Sequence, residues 1–483
     1  MLADIRQWLD QLLNNTVNNI SDNKLGLGAL CALVIGSIIG AGVFSLPQNM
    51  AAVASPLAVM IGWGITGTGM IFLALTFQRL CLDKPEINTG VFGYAKAGFG
   101  DLIGFFSAWG YWLSAVLANV SYLVIIFSTL GLFFDTPQHV VFGEGNTLIS
   151  AILASCFVWM IHFLLLRGVQ TAAVINAVTT VAKLIPLLLF IVIVAFSFKL
   201  STFTWDFSGL KSMPDKSLMS QIKDTMLFTV WVFIGVEGAV VVSSRARNRK
   251  DVGRATILGL LTTLFIYVMV SLLSMGVIKT PELAAMQNPS AAQVLQVVIG
   301  PVGLWIIGLG LIISVCGAYL SWTLLANESP YIGAKEKMFP SVFGKTNAKG
   351  TPKNILLVSN AVVQLVLVWV TIAGGTYDSL LNVASEMILV PYLFVAAYAL
   401  KSGLQDGCRK RAFVGGMATL YGVWLLYAAG LHHLLLTSLL YMPGVVFYIM
   451  AKREYGENWF AGNNRWVILG LMAVSIGAAL VIL

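Results

Sequence analysis

The stretch "GSIIGAGVFSLP", Gly36 to Pro47, lies inside an apolar run that is long enough to cross a bilayer. It contains Gly36, Gly40 and Gly42 and ends in Pro47, although Gly and Pro are the residues that least favour a helix interior. This pattern predicts a membrane helix that unwinds near its middle. Unwound backbone is costly in hydrocarbon unless its N–H and C=O groups line a polar cavity. The stretch therefore predicts such a cavity.

The composition of the chain predicts an integral membrane protein. Apolar residues make up 58% and charged residues only 10%, with a mean hydropathy of +0.86, whereas about a quarter of the residues in soluble domains are charged. Apolar runs of about 20 residues, the length needed to cross a bilayer, recur along the sequence. The predicted spans are 27–54, 57–79, 102–131, 147–166, 171–198, 222–243, 255–278, 294–325, 354–373, 379–400, 411–430, 432–450 and 465–483. Their number is twelve or thirteen, because the last run has no polar segment after it.

The placement of charge explains the net charge of +8. With a cytoplasmic N-terminus, Lys183 lies in the membrane, five lysines lie outside and all other Lys and Arg residues lie inside, as the positive-inside rule requires. The outer five are Lys199, Lys211, Lys216, Lys223 and Lys279. The basic clusters are thus topology signals, and no nucleic-acid partner is expected. Residues 1–24 are polar and mixed in charge, which predicts a cytoplasmic segment without a cleavable signal.

A second glycine-rich stretch pairs with the first. The sequence "IGAGVF" (Ile39 to Phe44) is matched by "IGVEGAV" (Ile234 to Val240), and each lies in the opening span of a block of five. Because five spans separate them, the second block enters the membrane in the opposite sense, which is typical of secondary transporters with inverted repeats. The predicted repeats are 25–200 and 201–401, followed by C-terminal helices in 402–483. In such folds the first helix of each repeat is interrupted at the binding site.

The two breaks predict the chemistry of that site. At the start of a half-helix, the N–H groups of Ala41 and Gly42 would suit a carboxylate. The carbonyls of Ile38, Trp231 and Ile234 would suit an ammonium group.

A packing interpretation competes with this one. Gly36 and Gly40 form a small-xxx-small pair, and close helix packing explains most such pairs in membranes. The second break favours the functional interpretation, because it places the acidic Glu237 beside the unwound segment.

These motifs resemble the amino acid-polyamine-organocation superfamily over residues 24–450. Within it, the chain is similar to the basic amino acid antiporters. The motifs that carry the resemblance are "GSIIGAGVFSLP", "YWLSAVLAN" (Tyr111 to Asn119), "WVFIGVEG" (Trp231 to Gly238), "SWTLLANESPYIGAKEKMFP" (Ser321 to Pro340) and "LVPYL" (Leu389 to Leu393). The resemblance implies an all-α, LeuT-like fold of five plus five inverted spans with discontinuous first and sixth helices.

The resemblance also implies a set of substrate-binding residues. The backbone near each break would hold the α-amino and α-carboxyl groups, and Trp322 would stack on the cationic side chain. By this matching the positions are Ile38, Gly40, Ala41, Gly42, Tyr111, Ala115, Asn119, Trp231, Ile234 and Trp322. Residues 111, 115 and 119 share one helix face because they are four apart. Ala41 and Ala115 replace polar side chains found in arginine-agmatine exchangers, which puts the exact specificity in question.

Three ionisable residues lie deep in predicted spans, and such residues are functional candidates. Glu386 is predicted to pair with a substrate cation; the alternative is a protonated structural Glu. Glu237 is predicted either to contact the substrate or, preferably, to act as a gate. Lys183 matches a lysine that stands where sodium-coupled relatives bind a cation, and a salt bridge to an acidic side chain is the equal alternative.

The sequence as a whole predicts a secondary transporter that exchanges basic amino acids across the bacterial inner membrane by alternating access. Arginine entering and ornithine leaving is the leading case. The alternatives are uniport or proton symport of a basic amino acid and exchange of another diamine or amino acid. A membrane enzyme is disfavoured because no nucleophile-His-acid set or metal-ligand cluster is visible, and His432 and His433 fall at a predicted outer turn. A channel would need a continuous pore. No cofactor or metal is expected, the surroundings are membrane lipid, and a homodimer is left open.

Overall fold

The computed structural model describes residues 26–87, 89–167, 170–238, 247–460 and 462–482, so the predicted segment 1–24 lies outside the described residues. The first helices are α1 (Leu27–Ile38), α2 (Leu46–Val53), α3 (Pro56–Asp83), α4 (Val91–Phe99), α5 (Asp101–Phe134), α6 (Leu148–Leu166) and α7 (Gln170–Phe196). Then come α8 (Leu200–Phe203), α9 (Leu218–Phe233), α10 (Arg249–Val277), α11 (Thr280–Ala284), α12 (Ser290–Ile299), α13 (Pro301–Lys335), α14 (Lys353–Ala373) and α15 (Tyr377–Gln405). The last two are α16 (Arg409–Glu454) and α17 (Asn464–Ile482).

The described residues form an all-helical membrane protein, as predicted. By length and composition, nine of the described helices can cross a membrane. The longest, α16, is not one straight rod, because Gly430 inside it has φ 83° and ψ 164°. This left-handed φ is readily adopted only by Gly. The break separates the two spans that were predicted as 411–430 and 432–450.

The first span is interrupted where its glycines predicted. Helix α1 ends at Ile38, and Ile39 is extended with φ −74° and ψ 101°. A single 3-10 turn follows at Gly42–Phe44, and α2 begins at Leu46 with Pro47 in its first turn. Proline suits that position because the N–H it lacks would have no helical partner there. The discontinuous first helix is thus confirmed.

The second break lies at the end of α9. The helix stops at Phe233, and Gly235 turns the chain with φ 108°. A Cβ at this glycine would lie 2.5 Å from the Ser37 carbonyl oxygen, so only Gly fits. In return the Ser37 hydroxyl donates to the Gly235 carbonyl at 2.9 Å. The two breaks therefore pack directly against each other; the half-helix predicted to follow residue 238 lies outside the described residues.

Helix α5 runs through the middle of the protein and is the most buried of the candidate spans. It packs against α13 and α15. Helix α10 packs against α1 and α3 and brings Tyr267 to the breaks. These long helices form the scaffold that surrounds the two unwound segments, so a cavity is left at the centre.

Candidate substrate site

A cavity lies between the two helix breaks. It holds about 300 Å³ of atom-free space, counting its opening. Its lining residues are Ile38, Gly40, Ala41, Gly42, Ala118, Tyr122, Trp231, Val232, Ile234, Tyr267 and Trp322. Seven of the predicted substrate-binding residues are thus brought together by the structure.

The backbone of the first break offers free donors to this cavity. The last backbone hydrogen bond before the break is donated by the Ile39 N–H, and the next one is donated by the Phe44 N–H to the Ala41 carbonyl at 3.1 Å. Among the hydrogen bonds of the described chain, none uses the N–H groups of Gly40 to Val43. Such donors at the start of a helical segment attract an anionic group such as a carboxylate.

The carbonyls of the breaks are partly satisfied by Tyr267 from α10. Its hydroxyl lies 3.1 Å from the Ile38 carbonyl oxygen and 2.9 Å from that of Val232. One hydroxyl has a single proton and can donate to only one of them at a time. The Trp231 carbonyl also accepts from the Ile234 N–H at 3.2 Å. The break carbonyls therefore retain unused acceptor capacity for an ammonium group.

Lys183, on α7, binds the backbone of the first break. Its ammonium donates to the carbonyls of Gly36 and Ile39, at 2.5 Å each, and the side chain is buried. In the described part of the chain no acidic side chain lies within ion-pair distance of it. The salt bridge considered from the sequence is therefore not seen there, and the positive charge is held by backbone dipoles instead.

Glu237 lies just after the second break and does not line the cavity. Its Oε1 accepts from the Tyr111 hydroxyl at 3.0 Å, and its Oε2 accepts from the Tyr392 hydroxyl at 2.7 Å. These contacts join the end of α9 to α5 and α15. The carboxylate is buried, so the glutamate and the two tyrosines form a buried hydrogen-bonded group beside the second break.

Aromatic rings form the walls of the cavity. The Trp322 ring lies 6.4 Å from that of Tyr111, and the Tyr122 ring lies 6.2 Å from that of Trp231. Trp231 Nε1 donates to the Tyr377 hydroxyl at 3.2 Å. This contact connects the cavity wall to the start of α15. Tryptophan faces of this kind bind cationic groups well.

Two other predicted residues on α5 are buried but do not line the cavity. Ala115 packs in the core. The Asn119 amide donates to the Thr323 hydroxyl at 3.1 Å, and its oxygen lacks a hydrogen-bond partner among the described residues. With Tyr111, these residues form a layer behind the cavity wall.

Glu386 also lies away from the cavity lining. Its carboxylate is buried and faces α16, where it accepts from the Thr437 hydroxyl at 3.2 Å and is in ion-pair contact with His433. A substrate contact for Glu386 therefore stays a prediction that this conformation does not display.

The residues missed from the sequence are Ala118, Tyr122, Val232 and Tyr267. Ala118 and Tyr122 lie one residue before and three residues after Asn119 on α5, and only the structure shows that they line the cavity. Val232 could have been inferred as a neighbour of Trp231. Tyr267 carries no local signal, since it is a single tyrosine in an apolar run far from both motifs.

The architecture defines a membrane transporter with a LeuT-like fold. The chain aligns with the crystal structure of MhsT in complex with L-phenylalanine at a TM-score of 0.58 and 12% identity, covering 83% of this chain and 97% of that one. A family model described as amino acid permease matches residues 25–473. The protein belongs to this family of amino acid permeases.

Two relatives are similar over nearly their whole length. A protein of Escherichia coli K12 named putative arginine/ornithine antiporter is 52% identical over 455 residues, covering 94% of this chain and 98% of the relative. The arginine/ornithine antiporter of Pseudomonas aeruginosa PAO1 is 50% identical over 473 residues, covering 95% and 96%.

Proposed function

We propose that this protein exchanges arginine for ornithine across the bacterial inner membrane by alternating access. The observation that carries the proposal is the cavity between the two helix breaks, where unpaired N–H groups, backbone carbonyls and tryptophan faces converge. A basic amino acid has a carboxylate, an ammonium and a second cation that match these three kinds of group. The names of the relatives at about half identity support this choice of substrate pair.

In this proposal the backbone recognises the part that all amino acids share. The substrate carboxylate binds the N–H groups of Ala41 and Gly42, and its α-ammonium binds the carbonyls of Ile38, Trp231 and Ile234. Trp322 stacks on the side-chain cation. Because arginine and ornithine both carry one net positive charge, their exchange moves no net charge, and concentration gradients alone drive it.

The contacts of Glu237 and Lys183 support separate roles in the cycle. Glu237 holds Tyr111 and Tyr392 as an inner gate, which opens when the α9 end moves away from α5 and α15. Lys183 is a fixed cation that holds the carbonyls at Gly36 and Ile39. Because this amino group is covalently attached at the first break, exchange needs no sodium ion there.

The proposed organisation places the N-terminus in the cytoplasm and treats residues 25–200 and 201–401 as two inverted repeats. The two facing breaks, one in each segment, support this division. In this orientation Glu237 is on the cytoplasmic side of Trp231, because α9 enters from outside.

Counterflow in proteoliposomes tests the proposed function. We expect uptake of labelled arginine only into vesicles loaded with arginine or ornithine, at equal rates with sodium or choline outside. Lysine, agmatine and putrescine, loaded in turn, define the range of counter-substrates. Equal uptake into vesicles without internal amino acid would mean uniport, and uptake driven by an inward proton gradient would mean symport; either result would contradict exchange.

A further inference from the structure

Helix α15 touches the site at two points along its length. Near its start, the Tyr377 hydroxyl accepts from Trp231 Nε1, and further along, the Tyr392 hydroxyl donates to Glu237. Fifteen residues at 100° each bring these two tyrosines to within about 60° of each other on the helix. One face of α15 therefore contacts both Trp231, which lines the cavity, and Glu237, which follows the second break.

Glu386 lies between Tyr377 and Tyr392 along the sequence of α15, but its side chain leaves the helix on a different side. By the same geometry it is about 180° from Tyr377 and about 120° from Tyr392. Its buried carboxylate faces the segment of α16 after the Gly430 break, where it contacts His433 and Thr437. The side chain of Glu386 is 1% exposed and that of His433 is 34% exposed. The pair thus connects α15, which contacts the site, to α16. The exposed part of His433 lets the pair exchange protons with water.

The closeness of the two polar atoms requires a proton between them. His433 Nδ1 and Glu386 Oε1 are in direct contact, so Nδ1 carries a proton and donates it to the carboxylate, because two bare acceptors would repel each other. A second proton, on Nε2, makes the ring an imidazolium and the pair neutral overall. Loss of that proton leaves a net negative charge in a buried place, which is unfavourable.

We propose that Glu386 and His433 are positioning residues that hold α15 against α16 through a contact that is strongest when His433 is an imidazolium, and that the loss of its second proton makes exchange depend on pH. The proposal rests on the exchange function proposed above. Raising the pH removes the proton, destabilises the arrangement seen here and frees α15 to move with Tyr377 and Tyr392. Exchange therefore becomes faster as the pH rises across the range in which histidine changes charge, about pH 5 to 8.

No other polar or titratable group around the pair in the described structure makes an equivalent contact with Glu386. From α16, the His432 ring lies 5.8 Å from that of His433, and the Tyr441 hydroxyl donates to the Met387 carbonyl. From α5, the Ser114 hydroxyl donates to the Ala384 carbonyl. In the segment after α9, Glu237 contacts α15 through Tyr392 and is engaged by Tyr111 as well. None of these is in ion-pair contact with Glu386.

The test is arginine–arginine exchange in proteoliposomes with equal pH on both sides, measured from about pH 5.5 to 8. No proton gradient is present, and arginine keeps its charges over this range. In the unmodified protein we expect kcat to rise about fivefold with pH, a typical size for coupling between sites. Glu386→Gln and His433→Gln should each flatten the profile with little change in KM for arginine. The double variant should resemble either single one, because the same contact is lost.

His432→Gln is the matched control and should keep the pH profile of the unmodified protein. A second measurement needs no transport: the melting temperature in detergent should fall with rising pH more steeply in the unmodified protein than in His433→Gln. Identical pH profiles in all variants would overturn the proposal. So would a tenfold rise in KM with an unchanged profile in Glu386→Gln, because that result would place the carboxylate on the substrate. If the unmodified protein shows no exchange at any pH, the exchange function fails instead, and the melting temperatures still decide the role of the pair.

Discussion

Gly42 is a residue of the first break that lies very close to the end of α9. A Cβ there would lie 2.7 Å from Trp231 Cδ1 and 2.7 Å from Val232 Cγ1, closer than such atoms ever pack. Gly42→Ala should therefore separate the breaks and lower arginine exchange at least about tenfold, the effect of a shift of roughly 1.4 kcal/mol.

Gly64→Ala is the matched control for this change. Gly64 lies within α3, and a Cβ there would meet nothing within 4 Å. Counterflow and radiolabelled arginine binding measure both variants. Normal binding by Gly42→Ala would show that the close contact of the breaks is not needed for the site.

Trp322 offers an aromatic face to the cavity, where the side-chain cation is proposed to bind. It is buried and lines the cavity, whereas Trp305 on the same helix is 43% exposed and stacks on Phe133. Loss of a cation–π contact of about 0.5–2 kcal/mol should raise the arginine Kd about 2- to 30-fold in Trp322→Leu. Trp305→Leu should bind as the unmodified protein does, as measured by isothermal titration. Equal affinities in the two variants would make Trp322 a packing residue.

The unwound segments could be predicted from sequence because Gly and Pro act locally. Helix α1 ends two residues before Gly40, and Gly235 takes a φ that side chains resist. The partners of buried polar groups could not be predicted in this way. Glu386 was expected to face the substrate because of its depth, yet the side it faces depends on the rotation of α15 and on His433, 47 positions later in the chain. Such contacts are set by tertiary packing, which a single sequence does not display.

Tyr267 shows how one helix can hold two breaks in register. From α10, its hydroxyl reaches the carbonyls of Ile38 in the first break and Val232 in the second. Tyr267→Phe keeps the ring, including its contacts with Trp63 and Phe233, but removes the bridge. Since a buried hydrogen bond contributes about 0.5–1.5 kcal/mol, the arginine Kd should rise about 2- to 12-fold.

Tyr421→Phe is a suitable control for the Tyr267 change. Tyr421 is also a buried tyrosine, but its hydroxyl has no hydrogen-bond partner in the described structure. Its removal should leave arginine affinity unchanged. The idea of a bridge would have to be abandoned if the two variants bind arginine equally.

The membrane-spanning helices are joined at the predicted cytoplasmic side by a group of ion pairs. Arg411 at the start of α16 donates to Asp83 of α3 at 2.9 Å and also contacts Asp406, which follows α15. Lys84 lies 2.9 Å from Asp406. Three helices that surround the site are therefore connected by four charged residues within a short stretch of surface.

Asp406 is central to this group, and its titration gives it a testable signature. The hydrogen bond from Lys84 is the main reason that the pKa of Asp406 lies below its usual value, and the Arg411 guanidinium lowers it further. A carboxylate whose pKa is depressed by folding stabilises the protein above its unfolded value, about pH 4, and this stabilisation is lost as the pH falls through the lower, folded pKa. Asp406→Asn should therefore melt at a lower temperature than the unmodified protein at pH 7, and the difference should shrink as the pH falls below about 4 and through the folded pKa of Asp406. Differential scanning fluorimetry in detergent, with the exposed Asp215→Asn as a control that shows no difference at either pH, measures this. A gap between Asp406→Asn and the unmodified protein that stays constant on acidification would mean that the aspartate acts through its shape and not through its charge.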